Sequence, residues 1–396
     1  MIANNDRRKK TNIIILTTLL LTFIGLVMIT SSSAIWAKYL HDDAYYFTKR
    51  QVIFIIIGLI MFYICSHMKS NILKKYSKTI LIGSFVLLIL VLIPGIGQER
   101  NGSKSWFGIG PFAVQPAELF KIAIIIYCAE KLDDKYWETK SFFKGVIPIM
   151  IPALLGFGLI MMQPDFGTGL VMLMSVVIMT MISKTRMSNY VKLAFLGVVS
   201  LAALIISAPY RLKRVTSFIN PWQDPLGSGF QSIQSLYAIG PSGILGLGVG
   251  ESIQKHYFLP EPQTDFIFAI IAEEWGFIGA SFVVVLFAIL IYCGYSIAIN
   301  CKEKYHSFLT TGIVSLIGVQ TIINLSVVVG LMPVTGITLP FISYGGSSLV
   351  VSLIAMGILV SLSRENENEN SNMWERNSRS FLSCFRTWKR IRKKRT

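Results

Sequence analysis

Three groups of polar residues interrupt an otherwise apolar chain at positions where they could do chemistry. The first is Asp265, which ends the loop Leu259-Pro-Glu-Pro-Gln-Thr-Asp265 and stands directly before an apolar run reaching about residue 300. A carboxylate at the mouth of a membrane-spanning helix costs a few kcal/mol or more unless it faces a protein interior or a wet cavity, so such acids are functional candidates by default. Helix capping is the competing account: Thr264 or Asp265 can accept backbone N–H bonds at a helix start, where the dipole favours negative charge, and the two roles can coexist. The second group is Glu118 and Lys121, three residues apart and so on one face of a helix. They either neutralise each other structurally or line a polar cavity, the usual home of charge inside a span. The third is the basic cluster Arg211, Lys213 and Arg214, whose side chains suit an anionic ligand. A two-carboxylate glycosidase arrangement fails on distance. On a continuous helix Asp265 and Glu273 lie about 12 Å apart along the axis, beyond the roughly 5 to 9.5 Å that such pairs use, so Glu273 and Glu274 read as structural.

The elements that must position these groups are membrane helices. The chain of 396 residues is 53% hydrophobic and only 15% charged, with a mean hydropathy of +0.59. Soluble domains carry about a quarter charged residues and lack repeated apolar runs of spanning length. Ten such runs are predicted, over 12–34, 51–67, 79–95, 116–131, 145–163, 168–184, 190–208, 266–299, 307–330 and 345–363. The fold class expected is therefore an all-α polytopic membrane protein. The eighth run is too long for one simple crossing, and Gly276 and Gly279 mark it for a kink. The run from Ile13 exceeds a signal-peptide core and is followed by further spans, so it reads as a retained first helix.

Charge sets the orientation. Most of the 37 Lys and Arg residues fall in the N-terminal segment, in alternate loops and beyond Arg364, a bias that places both termini in the cytoplasm. The net charge of +16 is thus a topology signal, and no nucleic-acid partner is expected. The outer face then carries the loops near 35–50 and 95–115, the Gln163-Pro-Asp-Phe-Gly-Thr168 turn, a long loop 209–264 between helices seven and eight, and the loop 331–344. Asp265 opens to that face, as do Arg211 and Arg214, which run against the topology bias. Two regions are expected: a membrane domain over 1–363 and a basic cytoplasmic tail over 364–396, either flexible or laid on the anionic inner leaflet. Neither the five cysteines nor the four histidines show the spacing of a zinc site or a disulfide framework. Trp106 suits an interfacial anchor, and Asp165 suits a cap on the helix after it.

Several motifs together carry a resemblance. Phe47-Thr-Lys-Arg-Gln51, Asn101-Gly-Ser-Lys-Ser-Trp106, Gln115-Pro-Ala-Glu118, Gln163-Pro-Asp-Phe-Gly-Thr168, Leu259-Pro-Glu-Pro-Gln-Thr-Asp265, Glu273-Glu274 and Pro340-Phe-Ile-Ser-Tyr-Gly-Gly-Ser-Ser348 resemble the SEDS family (shape, elongation, division and sporulation), which includes FtsW, RodA and the stage V sporulation protein E. The match runs in order over about 10–363 and looks closest to the sporulation and FtsW branch. It implies a ten-helix peptidoglycan glycosyltransferase of the bacterial cytoplasmic membrane that polymerises lipid II on its outer face. The implied partners are a class B penicillin-binding transpeptidase and other division or sporulation membrane proteins.

By position, Asp265 resembles the family's essential acid, Glu118 and Lys121 its cavity pair, Trp106 its outer-loop tryptophan and Arg50 a donor-binding basic residue. Ser105 stands where many members have arginine, leaving Lys104 as the candidate substitute for diphosphate contact, and Gln-Pro-Ala-Glu replaces the usual Gln-Pro-Ser-Glu. The implied mechanism makes Asp265 the base for the acceptor 4-hydroxyl, with Arg50, Lys104, Arg211 and Arg214 holding the diphosphate. A divalent cation, Mg or Mn, is a candidate cofactor without a ligand cluster. The rival readings are a flippase for lipid-linked precursors and a non-catalytic scaffold.

Overall fold

A computed structural model of the chain describes residues 2–100, 103–109, 112–136, 138–206, 209–256 and 258–366. The tail expected beyond Arg364 therefore lies almost wholly outside the described residues.

The helices are α1 (Ile2–His41), α2 (Tyr46–Ser66), α3 (Ser70–Leu90), α4 (Pro116–Asp134), α5 (Ile147–Met161), α6 (Phe166–Met181), α7 (Met187–Ile206), α8 (Pro209–Ile219), α9 (Phe230–Ile239), α10 (Ile267–Ile299) and α11 (Lys304–Val328), followed by α12 (Gly346–Asn366). A π-helical turn, Phe142–Val146, leads into α5. The ten predicted runs coincide with α1 to α7 and α10 to α12. Among the described residues six helical stretches are individually long and apolar enough to cross a membrane. Others, such as α3 with Lys74, Lys75 and Lys78, carry charge that dilutes their hydropathy.

The contacts at the helix ends alternate as ten crossings require. At one end Lys74 pairs with Asp133 at 2.6 Å, Ser70 meets His306 at 2.8 Å, Lys10 donates to Ser296 at 2.9 Å and Ser361 donates to the Met68 carbonyl at 2.6 Å. At the other end Gln115 donates to Asp165 at 2.7 Å, Ser347 to the Ala113 carbonyl at 2.9 Å and the Tyr344 N–H to the Gln263 carbonyl at 2.8 Å. The first end gathers the predicted basic loops, the start of α1 and the end of α12, so it faces the cytoplasm. Helices α11 and α12 form the centre, with 83% of the most apolar 18-residue stretch of each buried, against 11% in α2, which turns isoleucines outward to lipid.

The outer face is more structured than the sequence reading expects. The loop 95–115 contains an antiparallel three-stranded sheet, β1 (Gln98–Arg100), β2 (Ser103–Ile109) and β3 (Phe112–Val114), with a bulge between Gln98 and Glu99. The long loop contains α8 and α9. These elements are too short to leave an apolar run of spanning length.

The predicted break in the eighth span is present. Helix α10 has 33 residues, about 50 Å at 1.5 Å per residue, and at Gly276 its backbone leaves helical geometry with φ 65°. A break at this depth must find partners for its backbone groups. The loop 243–248 supplies them. Leu247 and Gly248 N–H groups donate to the carbonyls of Glu273 (2.9 Å) and Glu274 (3.0 Å), while Phe277 and Ile278 N–H groups donate to those of Gly243 (3.0 Å) and Ile244 (3.2 Å). The expected structural reading of both acids holds. Glu273 accepts the Ser252 hydroxyl and the Ile253 N–H, and Glu274 pairs with buried Lys255 at 3.2 Å. A Cβ on Gly276 would stand 2.3 Å from the Gly246 nitrogen. Gly276→Ala is therefore expected to destabilise the protein by about 1–3 kcal/mol, read as a lowered melting temperature of the solubilised protein, and to loosen the loop that leads to Asp265.

Candidate active site

The outer-face elements enclose a cavity of about 810 Å³ whose wall includes Arg50, Trp106, Glu118, Lys121, Arg214 and Asp265. Six predicted residues from five separate stretches of the chain are thus brought together. Lys104 is not among the wall residues, to which β2 contributes Ser103, Ser105 and Trp106, and it stands opposite Glu99 of β1. A diphosphate contact by Lys104 is therefore not supported. Arg211 lies on α8, but its side chain is outside what the structure describes.

The floor is polar and tightly satisfied. Lys121 and Glu118, a turn apart on α4, pair at 2.9 Å with side chains only 2% and 7% exposed. Lys121 also donates to Gln320 Oε1 at 2.9 Å, and Gln320 Nε2 donates to the Thr338 carbonyl at 2.9 Å. The open alternative for the ion pair resolves to the cavity, since both residues line it. The sequence reading missed Gln320, although the clue was there: Gln320 and Asn324 are polar residues four apart, on one face of the apolar helix α11.

Asp265 precedes α10 and is held on both sides. Its main-chain carbonyl accepts from Asn324 Nδ2 at 2.7 Å, and its carboxylate accepts from the Thr264 hydroxyl at 2.9 Å. It does not cap the helix with its side chain; the residue at the N-cap is Phe266, without a side-chain bond. The carboxyl is enclosed by protein yet reaches the cavity surface. That burial raises its pKa above the usual carboxylate range, against the lowering effects of the Thr264 hydroxyl and, more weakly, Arg214. A carboxylate at a cavity surface has the chemistry to take a proton from a group that enters it.

Asp165 takes the expected capping role and more. It caps α6 by accepting the Thr168 N–H at 3.1 Å, accepts Gln115 Nε2 at 2.7 Å, and also lines the cavity. Two cations face the same space. Arg50 stacks over the Tyr46 ring, 4.2 Å from its centroid, and Arg214 donates to the Val334 carbonyl at 3.2 Å. Both guanidinium groups keep donors for an anion. Among the described residues no three His, Cys, Asp or Glu side chains gather as metal ligands.

Comparison with known proteins identifies the family. The chain is 49% identical over 341 residues to stage V sporulation protein E of Bacillus subtilis, covering 86% of this chain and 93% of that one. It is 37% identical over 342 residues to a probable peptidoglycan glycosyltransferase FtsW of a Geobacter species, covering 86% and 93%. Among solved structures, a chain from a peptidoglycan synthase complex that coordinates polymerization and crosslinking superposes with a TM-score of 0.72 at 30% identity, covering 89% of this chain and 97% of that one. The family model for FtsW, RodA and SpoVE, described as cell cycle protein, matches residues 11–368. The chain belongs to the FtsW/RodA/SpoVE family.

Proposed function

We propose that this protein is a peptidoglycan glycosyltransferase of the bacterial cytoplasmic membrane, polymerising lipid II into glycan strands on the outer face for septum or spore-wall synthesis. The observation that carries the reading is the convergence of Asp265, Arg50 and Arg214 on one outward-facing cavity. The relatives named as glycosyltransferases support the same chemistry.

In the proposed reaction Asp265 takes the proton of the acceptor 4-hydroxyl as that oxygen attacks the donor's anomeric carbon. The carbon–oxygen bond to the diphosphate breaks with inversion, and Arg50 and Arg214 hold the departing anion. The buried Glu118–Lys121–Gln320 chain keeps the floor rigid and fixes the loop 331–344 through Thr338. Since the structural relative comes from a synthase complex that also crosslinks, a class B transpeptidase is the proposed partner.

Purified protein supplied with lipid II is expected to yield glycan strands resolvable by gel electrophoresis. Headgroup translocation in liposomes with no polymer would replace the proposal by a flippase. The pH dependence adds a second expectation. The reactive form of Asp265 is ionised and its pKa is raised by burial, so the rate falls on acidification at a higher pH than for an ordinary aspartate. Thr264→Val removes a hydroxyl that favours the ionised form, so it should move the acid limb of the kcat profile further up.

A further inference from the structure

Arg50 differs from its charged neighbours in the cavity wall by what holds it. Glu118, Lys121, Asp165, Arg214 and Asp265 each have a hydrogen bond or an ion pair within the protein. Arg50 lies in the same wall, half-buried. Among the described residues its guanidinium makes no hydrogen bond or ion pair and rests on the face of the Tyr46 ring, 4.2 Å from the centroid. Stacking fixes a planar cation without consuming its N–H donors, so those of Arg50 remain for a ligand.

The connection between α1 and α2 builds this stack. Just past α1, Asp42 takes the left-handed conformation that ends many helices and that aspartate tolerates, with φ 55°. Its N–H donates to the Lys38 carbonyl at 3.0 Å, and its carboxylate pairs with the Lys38 ammonium at 2.6 Å. Asp43 then accepts the Tyr45 N–H at 3.0 Å and pairs with Lys49 at 2.8 Å. The chain thereby reverses between His41, the last residue of α1, and Tyr46, the first of α2. Their rings stack with centroids 3.6 Å apart and planes 18° from parallel. Tyr46 and Arg50 stand one turn apart on α2 and so share a face of the helix. Two planar groups this close to one ring centre would overlap on a shared side, so His41 and Arg50 cover opposite faces of Tyr46. Phe47 meets the Tyr46 ring edge-on at 5.3 Å and the Tyr344 ring at 5.0 Å. The Tyr344 N–H donates to the Gln263 carbonyl at 2.8 Å, two residues before Asp265. A chain of rings thus ties the cation to the loop that carries the acid.

We propose that Tyr46, backed by His41, is the positioning residue that sets the Arg50 guanidinium for the diphosphate of the substrate. This rests on the glycosyltransferase reading above. Phosphate oxygens take two parallel N–H bonds from a guanidinium only when its plane is correctly set. With one face on Tyr46, Arg50 meets the ligand with its edge, where the donors lie. A flexible arginine would have to be ordered at each binding event, whereas the stack orders it beforehand.

The test uses the full chain in nanodiscs and two readouts, the Kd of undecaprenyl diphosphate and the kinetics of polymerisation from lipid II. Tyr46→Phe keeps the ring and should match the wild type in both. Tyr46→Leu removes the ring and should weaken undecaprenyl diphosphate binding about fivefold, with a like rise in KM and a smaller change in kcat. In an Arg50→Ala background the same substitution should add nothing, because Tyr46 acts through Arg50. His41→Ala, at an exposed position, should loosen the ring and weaken binding about twofold. It is the independent arm if Tyr46→Leu fails to fold. Wild-type affinity in both Tyr46→Leu and His41→Ala, or a fivefold loss that persists beside Arg50→Ala, would overturn the positioning role. A wild type that binds undecaprenyl diphosphate in this pattern yet makes no polymer overturns the underlying activity instead and leaves the stack as an anion site.

Discussion

Lys121→Met is expected to cost about 3–5 kcal/mol of stability, the range seen when one partner of a buried ion pair is removed. The cause lies in what remains. Glu118, with its side chain 7% exposed, loses the ammonium 2.9 Å away, and Gln320 Oε1 loses its donor. Because the pair borders a cavity, residual water places the expected value at the lower end of that range. Activity should fall with stability, since Gln320 links this pair to the Thr338 carbonyl and so to the loop 331–344. The double variant Glu118→Gln with Lys121→Met leaves no unpaired charge and should recover much of the melting temperature. That non-additivity, measured as a double-mutant cycle, separates a buried ion pair from two independent side chains. Additive losses would contradict the pairing.

The helices were legible because membrane spans leave the strongest pattern a sequence can carry, a long apolar run with basic residues at one end. The kink in α10 was legible too, since paired glycines weaken a helix that is already too long. The sheet over 98–114 and helices α8 and α9 were not, because short amphipathic elements on a wet surface produce no comparable run. The charged members of the site stood out for a physical reason: Asp265, Glu118 and Lys121 are costly where they lie. Neutral groups carry no such signal, so Gln320 emerges only once the fold brings α11 and the loop 331–344 beside Lys121. Lys104 was read from a loop whose pairing into β1 and β2 leaves no signal in the sequence; in the sheet it stands opposite Glu99, outside the cavity wall.

Asp265→Asn is the second large effect, a loss of about 10²–10⁴-fold in polymerisation rate, the typical contribution of a positioned general base. The substitution leaves the fold untouched in principle. Asparagine keeps the side-chain volume and an oxygen for the Thr264 hydroxyl, and the bond from Asn324 is made to the main chain. The raised carboxyl pKa reflects burial, so the neutral amide removes a desolvated charge and should leave the melting temperature equal or higher. Substrate contacts by Arg50 and Arg214 are retained.

Lipid II binding and strand formation measured on the same preparation of Asp265→Asn address the base directly. The expected result is binding at close to wild-type affinity with strand formation reduced to background. Strands made at the wild-type rate would contradict the assignment of Asp265 as the group that accepts the proton.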